Sequence, residues 1–158
     1  MIIKIDSRYG MMKIIIDDED YDKIKDYTWF VRKNRKTFYC RTSIRNGKNI
    51  KQYSLSRFIM SAKKGQMVDH INCNGLDNRK CNLRFCTYSE NNRNRRKPKN
   101  NKSGFKGVNW DKHSKKWRAH INVHKKFYNL GYFLTPEEGH RAYCEAVKKY
   151  HGEYGRIA

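Results

Sequence analysis

Residues 68–85 contain the side-chain types that hydrolysis of a phosphodiester requires. Within this range, the adjacent Asp69 and His70 precede a turn that is rich in Asn, Gly and Asp. An ordinary imidazole has a pKa of about 6.5 and can accept a proton from water at neutral pH, so we expect His70 to be a general base. Asp69, which points the opposite way on the same strand, is predicted to ligate a divalent metal ion.

A helix is predicted to follow this turn and to supply the second metal ligand. Thr87 and Glu90 have the spacing of a capping box, which predicts that a helix begins there. Our candidate ligand is Asn91, and Asn92 is its rival because successive helical residues differ in direction by about 100°. Carboxylate and amide oxygens favour Mg²⁺ or Mn²⁺ over zinc. Asn82 is expected to hydrogen-bond across the turn and hold the strand of the histidine.

The charge of the chain points to a polyanionic partner. Its 36 Lys and Arg against 15 Asp and Glu give a net charge of +21, which attracts nucleic acid. An anionic membrane is the alternative, but the sequence contains neither a long apolar run nor a basic amphipathic helix. Residues 1–10 lack the apolar core of a signal peptide, so we expect an intracellular, cytoplasmic protein that is not secreted. Nothing in the sequence indicates an obligatory protein partner.

Cysteine content indicates neither disulfides nor structural zinc. The five cysteines are odd in number and include no Cys-x-x-Cys pair. Cys73, Cys81 and Cys86 are close in sequence, but their spacing fits no usual zinc-ligand pattern. We therefore expect no structural zinc.

Hydrophobic patterning predicts an α+β chain whose first part is a small antiparallel sheet followed by a ββα unit. Asn46-Gly47 between two β-like runs predicts a hairpin. The strands expected before the chemical motif cover residues 11–16, 28–32, 38–44 and 50–55, with a short helix at 56–60. Two further strands, 67–71 and 83–86, flank the turn and precede the capped helix.

A basic stretch separates this part from the C-terminal part. Residues 93–106 hold seven Lys or Arg and no acid, with breakers at Pro98 and Gly104. We expect a linker over residues 96–103 that lies along the DNA backbone or in the minor groove. A disordered, solvated linker is the alternative.

Residues 104–158 are predicted to form three antiparallel strands packed on one helix. Residues 117–123 alternate apolar and polar side chains, which is typical of a half-buried strand. Residues 107–111 and 126–133 supply the two flanking strands. Thr135-Pro136-Glu137-Glu138 predicts the start of a helix. Its apolar stripe contains Ala142, Tyr143, Ala146, Val147 and Tyr150.

Residues 68–92 resemble the HNH endonucleases of the ββα-metal class, in particular the phage and intron homing type. The shared pattern is Asp-His-Ile, then Asp-Asn-Arg, then Asn-Leu-Arg, then a helix that carries Asn. The resemblance implies that Asp69 and Asn91 hold the metal, that His70 is the base, and that Asn82 is the middle Asn of the motif. It also implies cleavage that leaves 5′-phosphate and 3′-hydroxyl ends.

This resemblance covers about residues 10–96. It implies an endonuclease domain over residues 1–95 with its ββα-metal core at about 67–95. Similar proteins often have His-Arg in the helix before the motif, whereas this chain has Ser56-Arg57. A role for position 56 is therefore in doubt, while the core residues match.

Residues 103–158 look like the Apetala-two type of DNA-binding domain, which is known from plant ethylene-response factors and from phage HNH nucleases. In that family, the three-stranded sheet enters the major groove. We expect Trp117 of this chain to pack in the core of the domain. The residues that carry the resemblance are Gly107-Val108, Trp117-Arg118-Ala119, Leu130-Gly131-Tyr132-Phe133 and Ala142-Tyr143.

Base specificity cannot be carried over from the plant proteins. They have arginines at the positions where this chain has Lys106 and Asn109. The residues that we expect to face the DNA are Lys106, Trp110, Arg118 and His120. The complete set of expected DNA-contacting residues is Arg84, Arg93, Arg95, Arg96, Lys97, Lys99, Lys106, Trp110, Arg118 and His120.

These observations predict a metal-dependent DNA endonuclease that acts on double-stranded DNA. The alternative is a non-catalytic, sequence-specific DNA-binding regulator with a vestigial nuclease unit. A third hypothesis, an RNA-binding or ribosome-associated protein, explains the charge but not the metal motif. The target sequence, the choice between nicking and double-strand cleavage, the oligomeric state and a homing role are not encoded in these motifs.

Overall fold

The chain forms two compact units in a computed structural model that describes residues 1–157. The first unit is Met1–Tyr88 and the second begins at Ser89. Both combine small antiparallel sheets with helices, which confirms the predicted α+β class. The basic segment 96–103 lies inside the second unit. The domain boundaries derived from the sequence stay predictions.

Two antiparallel sheets build most of the first unit. The hairpin predicted at Asn46-Gly47 is present: Asn46 pairs with Asn49, and Gly47 has a φ of 59°, which glycine adopts without strain. The two-stranded sheet contains β1 (Ile2–Ser7) and β2 (Gly10–Ile15), and the three-stranded sheet contains β3 (Trp29–Asn34), β4 (Thr37–Asn46) and β5 (Asn49–Ser54).

Two short helices close the core of the first unit. They are α1 (Tyr21–Ile24) and α2 (Leu55–Ile59), and the second confirms the helix expected near residues 56–60. A buried apolar cluster joins them to the sheets because each element contributes its inward-facing side chains. Its members are Ile14, Ile16, Ile24, Val31, Cys40, Leu55, Ile59, Leu76 and Leu83.

The strands that carry the chemical motif form their own antiparallel pair. They are β6 (Met67–His70) and β7 (Leu83–Cys86), in register so that Asp69 faces Arg84 across the ladder. The intervening residues 71–82 form the motif loop. Its end is a short 3₁₀ turn, Lys80–Asn82, that leads directly into β7.

The motif loop is anchored to the core sheet through its backbone. The N–H of Ile15 donates to the carbonyl of Leu76 at 2.8 Å, and the N–H of Asn78 donates to the carbonyl of Ile15 at 2.7 Å. At Gly75, an added Cβ would lie 2.5 Å from the Tyr39 ring, so only glycine allows this close approach. Backbone hydrogen bonds and close packing therefore fix the loop relative to β2 and β4.

The second unit contains the predicted three strands and one long helix. At the start of this long helix, the Thr135 hydroxyl accepts from the N–H of Glu138 and the Glu138 carboxylate accepts from the N–H of Thr135, each at 3.3 Å. This confirms the predicted capping box. The elements are α3 (Tyr88–Arg93), β8 (Val108–Asp111), β9 (Lys116–Val123), β10 (Lys126–Phe133) and α4 (Pro136–Tyr150), with strand order β10-β9-β8.

The core of the second unit lies between the sheet and α4. Ile121 and Val123 of β9 pack against Tyr143, Ala146 and Val147 of the helix. The predicted apolar stripe of α4 is thus confirmed for Tyr143, Ala146 and Val147, while Ala142 is half-buried. Tyr150 is 37% exposed and stacks on Tyr128 instead. No helix within residues 1–157 is long and apolar enough to cross a membrane.

Candidate active site and DNA-binding surface

His70 lies at the end of β6, where the motif loop holds its ring. The side chain is 7% exposed, and its Nε2 lies 3.1 Å from Oδ1 of Asn78. A carbonyl oxygen only accepts hydrogen bonds, so Nε2 carries the proton and Nδ1 is the basic nitrogen. The ring of Tyr39 contacts the imidazole edge-on, with 6.0 Å between centroids.

The surroundings of His70 keep its ring neutral. Burial lowers the pKa of His70, although the hydrogen bond that it donates to Asn78 and the charges of Asp69 and Asp77 act in the opposite direction. A neutral imidazole can accept a proton at pH 7. The protonation state is therefore the one that a general base needs.

Asp69 forms a buried ion pair with its cross-strand neighbour. Nε and Nη2 of Arg84 donate to Oδ2 of Asp69 at 3.2 Å and 3.0 Å, and the two side chains are 10% and 8% exposed. A cation at Asp69 would therefore share this carboxylate with a guanidinium. The structure places Arg84 against Asp69 rather than on an exposed surface, and a DNA contact by Arg84 stays a prediction.

Asn82 makes the expected hydrogen bonds across the turn. Its Oδ1 accepts from the N–H of Asn72 at 3.0 Å, and its Nδ2 donates to the carbonyl of Asp77 at 2.7 Å. Its own carbonyl accepts from the N–H of Ile71 at 2.9 Å. These contacts close the motif loop just beyond His70.

Asp77 makes a second set of hydrogen bonds that closes the motif loop. Arg79 donates to both of its oxygens at 2.8 Å, and Nδ2 of Asn72 donates at 2.9 Å. The hydrogen bond and charge of Arg79 lower the pKa of Asp77. From the sequence, Asp77 and Asn78 are identified only as members of the Asp-Asn-Arg motif and as residue types that form turns. Their positions in the Asp-Asn-Arg motif were the available indication of a larger role.

The two predicted metal ligands belong to different units. Asp69 lies in the first unit, and Asn91 and its rival Asn92 lie on α3 in the second unit, both half-buried. Their pairing stays a prediction. The donor set of one carboxylate and one amide oxygen suits Mg²⁺, which keeps waters and takes further oxygens from a substrate phosphate. Across residues 1–157, no three or more His, Cys, Asp or Glu side chains cluster as a metal site.

The outer face of β9 carries two of the predicted DNA-contacting residues. Arg118 and His120 alternate with the buried Ala119 and Ile121. The guanidinium of Arg118 lies 5.5 Å from the ring centre of Phe127, and His120 stacks on the same ring at 5.1 Å. The structure therefore brings Arg118 and His120 together on one side of the sheet. Burial lowers the pKa of His120 and the charge of Arg118 lowers it further.

Trp110 does not join this group. It pairs with Trp117 across β8 and β9, and the two rings meet edge-to-face at 5.2 Å. Directly opposed residues share a face of the sheet, so Trp110 lies on the side opposite Arg118. It is 46% exposed there. A DNA contact by Trp110 stays a prediction, but it would come from a different side of the sheet.

The basic segment after α3 is exposed at its start and folded at its end. Exposed basic side chains occupy residues 95–97 and 99. Ser103 is buried, and its hydroxyl donates to the carbonyl of Val108 at 2.7 Å. Lys106 donates from Nζ to the carbonyl of Arg93. The candidate cations of this segment are Arg93, Arg95, Arg96, Lys97, Lys99 and Lys106.

Comparison with known proteins identifies the C-terminal part. A family profile for the AP2 domain matches residues 103–153, which confirms the expected Apetala-two type of DNA-binding domain. This match covers the three strands and the whole of α4.

One curated phage protein is similar to part of the chain. Protein 3.8 of Escherichia phage T7 is 39% identical over 67 residues, which are 42% of this chain. The chain thus covers 55% of the length of that phage protein. No solved structure matches the chain significantly.

Proposed function

We propose that this protein is a metal-dependent DNA endonuclease of the HNH type, homing-like, in which His70 activates the attacking water. The observation that carries the proposal is the buried, neutral imidazole held through Nε2 by Asn78 at 3.1 Å. The hydrogen bond from Nε2 selects the tautomer in which Nδ1 is the basic nitrogen, as a general base at this position requires.

His70 and its neighbours divide the work of the first unit. Nδ1 of His70 accepts the proton from water, while Asn78 keeps the ring oriented. Asn82 supports the strand end without contacting substrate, since its side chain bonds the motif loop on both sides. The role of the loop is therefore to hold one nitrogen in a fixed direction.

Asp69 and Asn91 would hold Mg²⁺ or Mn²⁺. When bound, such an ion stabilises the charge on the phosphate and on the leaving oxygen. Arg84 remains beside Asp69 and adds a second positive charge near that carboxylate. The proposal requires oxygen ligands only, which agrees with a hard cation.

Binding to duplex DNA is assigned to the AP2 domain and to the positive charge of the whole chain. The domain match covers the sheet whose outer face presents Arg118 and His120. The net charge of +21 draws the chain to DNA without regard to sequence. The nuclease unit would then act on the strand that the second unit delivers.

A DNA-binding regulator without cleavage is the second candidate, and the AP2 match favours it directly because that domain alone explains DNA binding. Incubation of supercoiled plasmid with the full chain separates the two hypotheses. The nuclease proposal expects nicked or linear plasmid with Mg²⁺ and none with EDTA. Intact plasmid under both conditions, together with a shifted band on a gel, would establish the regulator.

RNA binding is tested by competition. A labelled DNA duplex bound to the full chain is challenged with unlabelled duplex DNA or with RNA of equal length. We expect DNA to be the stronger competitor at physiological salt. If RNA displaces the probe at lower concentration, the substrate class in this proposal is wrong.

A further inference from the structure

A cavity of about 340 Å³ lies at the edge of the sheet in the second unit. It borders β9 from His120 to Asn122. Beside these residues lie Lys106 and Gly107, which precede the start of β8 at Val108. We call it the edge cavity. Its lining within the described residues includes no Asp or Glu, and its basic members are Arg93, Lys106, His120, His124, Lys125 and His151.

Backbone contacts fix the cationic wall of the edge cavity. The carbonyl of Arg93, at the end of α3, accepts from Nζ of Lys106 and from the N–H of Arg156. Nζ of Lys106 thus lies against the backbone of Arg93, and both residues line the edge cavity. Two positive side chains that line one cavity favour a bound anion.

His151 contributes a buried polar atom that has no partner among the described residues. The residue is 8% exposed, and its Nε2 lies 3.0 Å from the carbonyl of Asn122. The carbonyl only accepts, so Nε2 carries the proton. Nδ1 is buried and makes no hydrogen bond within residues 1–157. His151 also lines the edge cavity, so a group bound there can serve as the hydrogen-bond partner of Nδ1.

We infer that the edge cavity binds a phosphate group, with Arg93 and Lys106 supplying charge and a protonated His151 donating from Nδ1. The inference rests on the proposed DNA binding for the source of the phosphate, which is a backbone phosphodiester. It does not depend on cleavage. Inorganic phosphate has the same chemistry and serves as the simplest probe.

The charged surroundings of His151 explain why the anion would be coupled to a proton. Burial lowers the pKa of His151, and Arg93 of α3, Lys106 before β8 and His124 of the β9–β10 turn lower it further, against the hydrogen bond to Asn122. Glu153, on the turn that follows α4, is exposed. An anion beside these cations would reverse their effect on the imidazole.

The first experiment follows the ring nitrogens of His151 by NMR while inorganic phosphate is added to the full chain. We expect the pKa of His151 to rise in a saturable way, and we expect this rise to be lost in Arg93→Gln. The amide spectrum of the same sample verifies that the variant folds. A midpoint that does not move at high phosphate concentration would overturn the inference.

The second experiment identifies the source of the phosphate through the salt dependence of binding to duplex DNA. Arg93→Gln should lower the log–log slope by about 0.9, the effect of one lost phosphate contact. Arg141→Gln, which removes an exposed charge from α4, is the matched control and should leave the slope unchanged. Equal slopes in the two variants would overturn the DNA source.

The two experiments separate this inference from the proposed function. If the wild-type chain does not bind DNA, the proposed function fails, and the phosphate titration still decides whether the edge cavity takes an oxyanion. If DNA binds normally while phosphate leaves His151 unchanged, the edge-cavity inference fails and the proposed function stands.

Discussion

The imidazole of His70 and the amide of Asn78 are joined by a 3.1 Å hydrogen bond between Nε2 and Oδ1. The two residues lie eight positions apart, one at the end of β6 and one on the motif loop. Because the N–H of Asn78 is itself bonded to Ile15 of β2, the ring is fixed to the core sheet through a single residue. Asn78 is therefore a positioning residue in the proposed reaction.

Replacing Asn78 should change both the rate and the pH dependence of cleavage. Asn78→Ala removes the hydrogen bond that raises the pKa of His70, so the acidic limb of the rate profile should move to lower pH. The rate at the optimum should fall roughly 10- to 100-fold, as for other residues that orient a reactive group. Asn78→Asp places a negative charge beside the ring and should move the acidic limb to higher pH. A purely structural role would move neither limb.

Loss of Arg79 should make the first unit more sensitive to acid. The folded pKa of Asp77 is lowered chiefly by Arg79, so its stabilising effect is present above the unfolded pKa and is lost as pH falls through the folded value. Arg79→Ala should reduce the free energy of unfolding at pH 7, because the buried carboxylate of Asp77 loses the hydrogen bonds and the opposite charge that Arg79 supplies. It should also shift acid unfolding to higher pH. Urea titration measures the free energy of unfolding, and acid titration measures the pH of unfolding. The control is Arg45→Ala, which changes an exposed residue. Equal stability and equal acid sensitivity of the two variants would contradict this account.

Gly75→Ala should disturb the motif loop without affecting the AP2 domain. The added Cβ would collide with the Tyr39 ring and with the carbonyl oxygen of Phe38. We expect destabilisation of the first unit by about 1–3 kcal/mol, as for other overpacked positions, and weaker cleavage. DNA binding provides the internal control and should be retained. Normal stability would mean that β4 does not restrain this loop.

Arg118→Gln should weaken DNA binding through the outer face of β9. A lost contact to a base is worth about 1–3 kcal/mol, or roughly 5- to 150-fold in affinity. Lys148→Gln removes an exposed charge from the end of α4 and should have a much smaller effect. Fluorescence anisotropy with labelled duplex DNA measures both. Comparable losses would show that Arg118 acts only through the net charge.

The sequence predicted the elements of the fold better than their mutual placement. The alternation around Ala119 and Ile121 identified β9 because a strand buried on one face leaves a period of two. Strand β1 was not predicted, because Ile2–Ser7 is stabilised by its pairing with β2 rather than by a distinctive hydrophobic pattern of its own. The side of the sheet that Trp110 occupies depends on the register of β8 against β9, which a shift of one residue would reverse.

The candidate site could be predicted from residue types but not from contacts. Asp69 and His70 stand out because an adjacent carboxylate and imidazole can bind a metal ion and activate a water molecule. The function of Asn78 could not be inferred, because Asn is common in turns for local reasons and only the folded motif loop brings it to the imidazole. The partnership of Asp69 with Arg84 likewise depends on the register of β6 and β7.

The central claim is that His70 is the base in DNA cleavage, and the rate of His70→Ala on supercoiled plasmid with Mg²⁺ tests it most directly. His113→Ala, which changes an exposed histidine of the β8–β9 turn, is the control. We predict at least about 100-fold slower cleavage by His70→Ala, with unchanged DNA affinity and a normal rate for His113→Ala. Cleavage by His70→Ala at the wild-type rate would contradict the account.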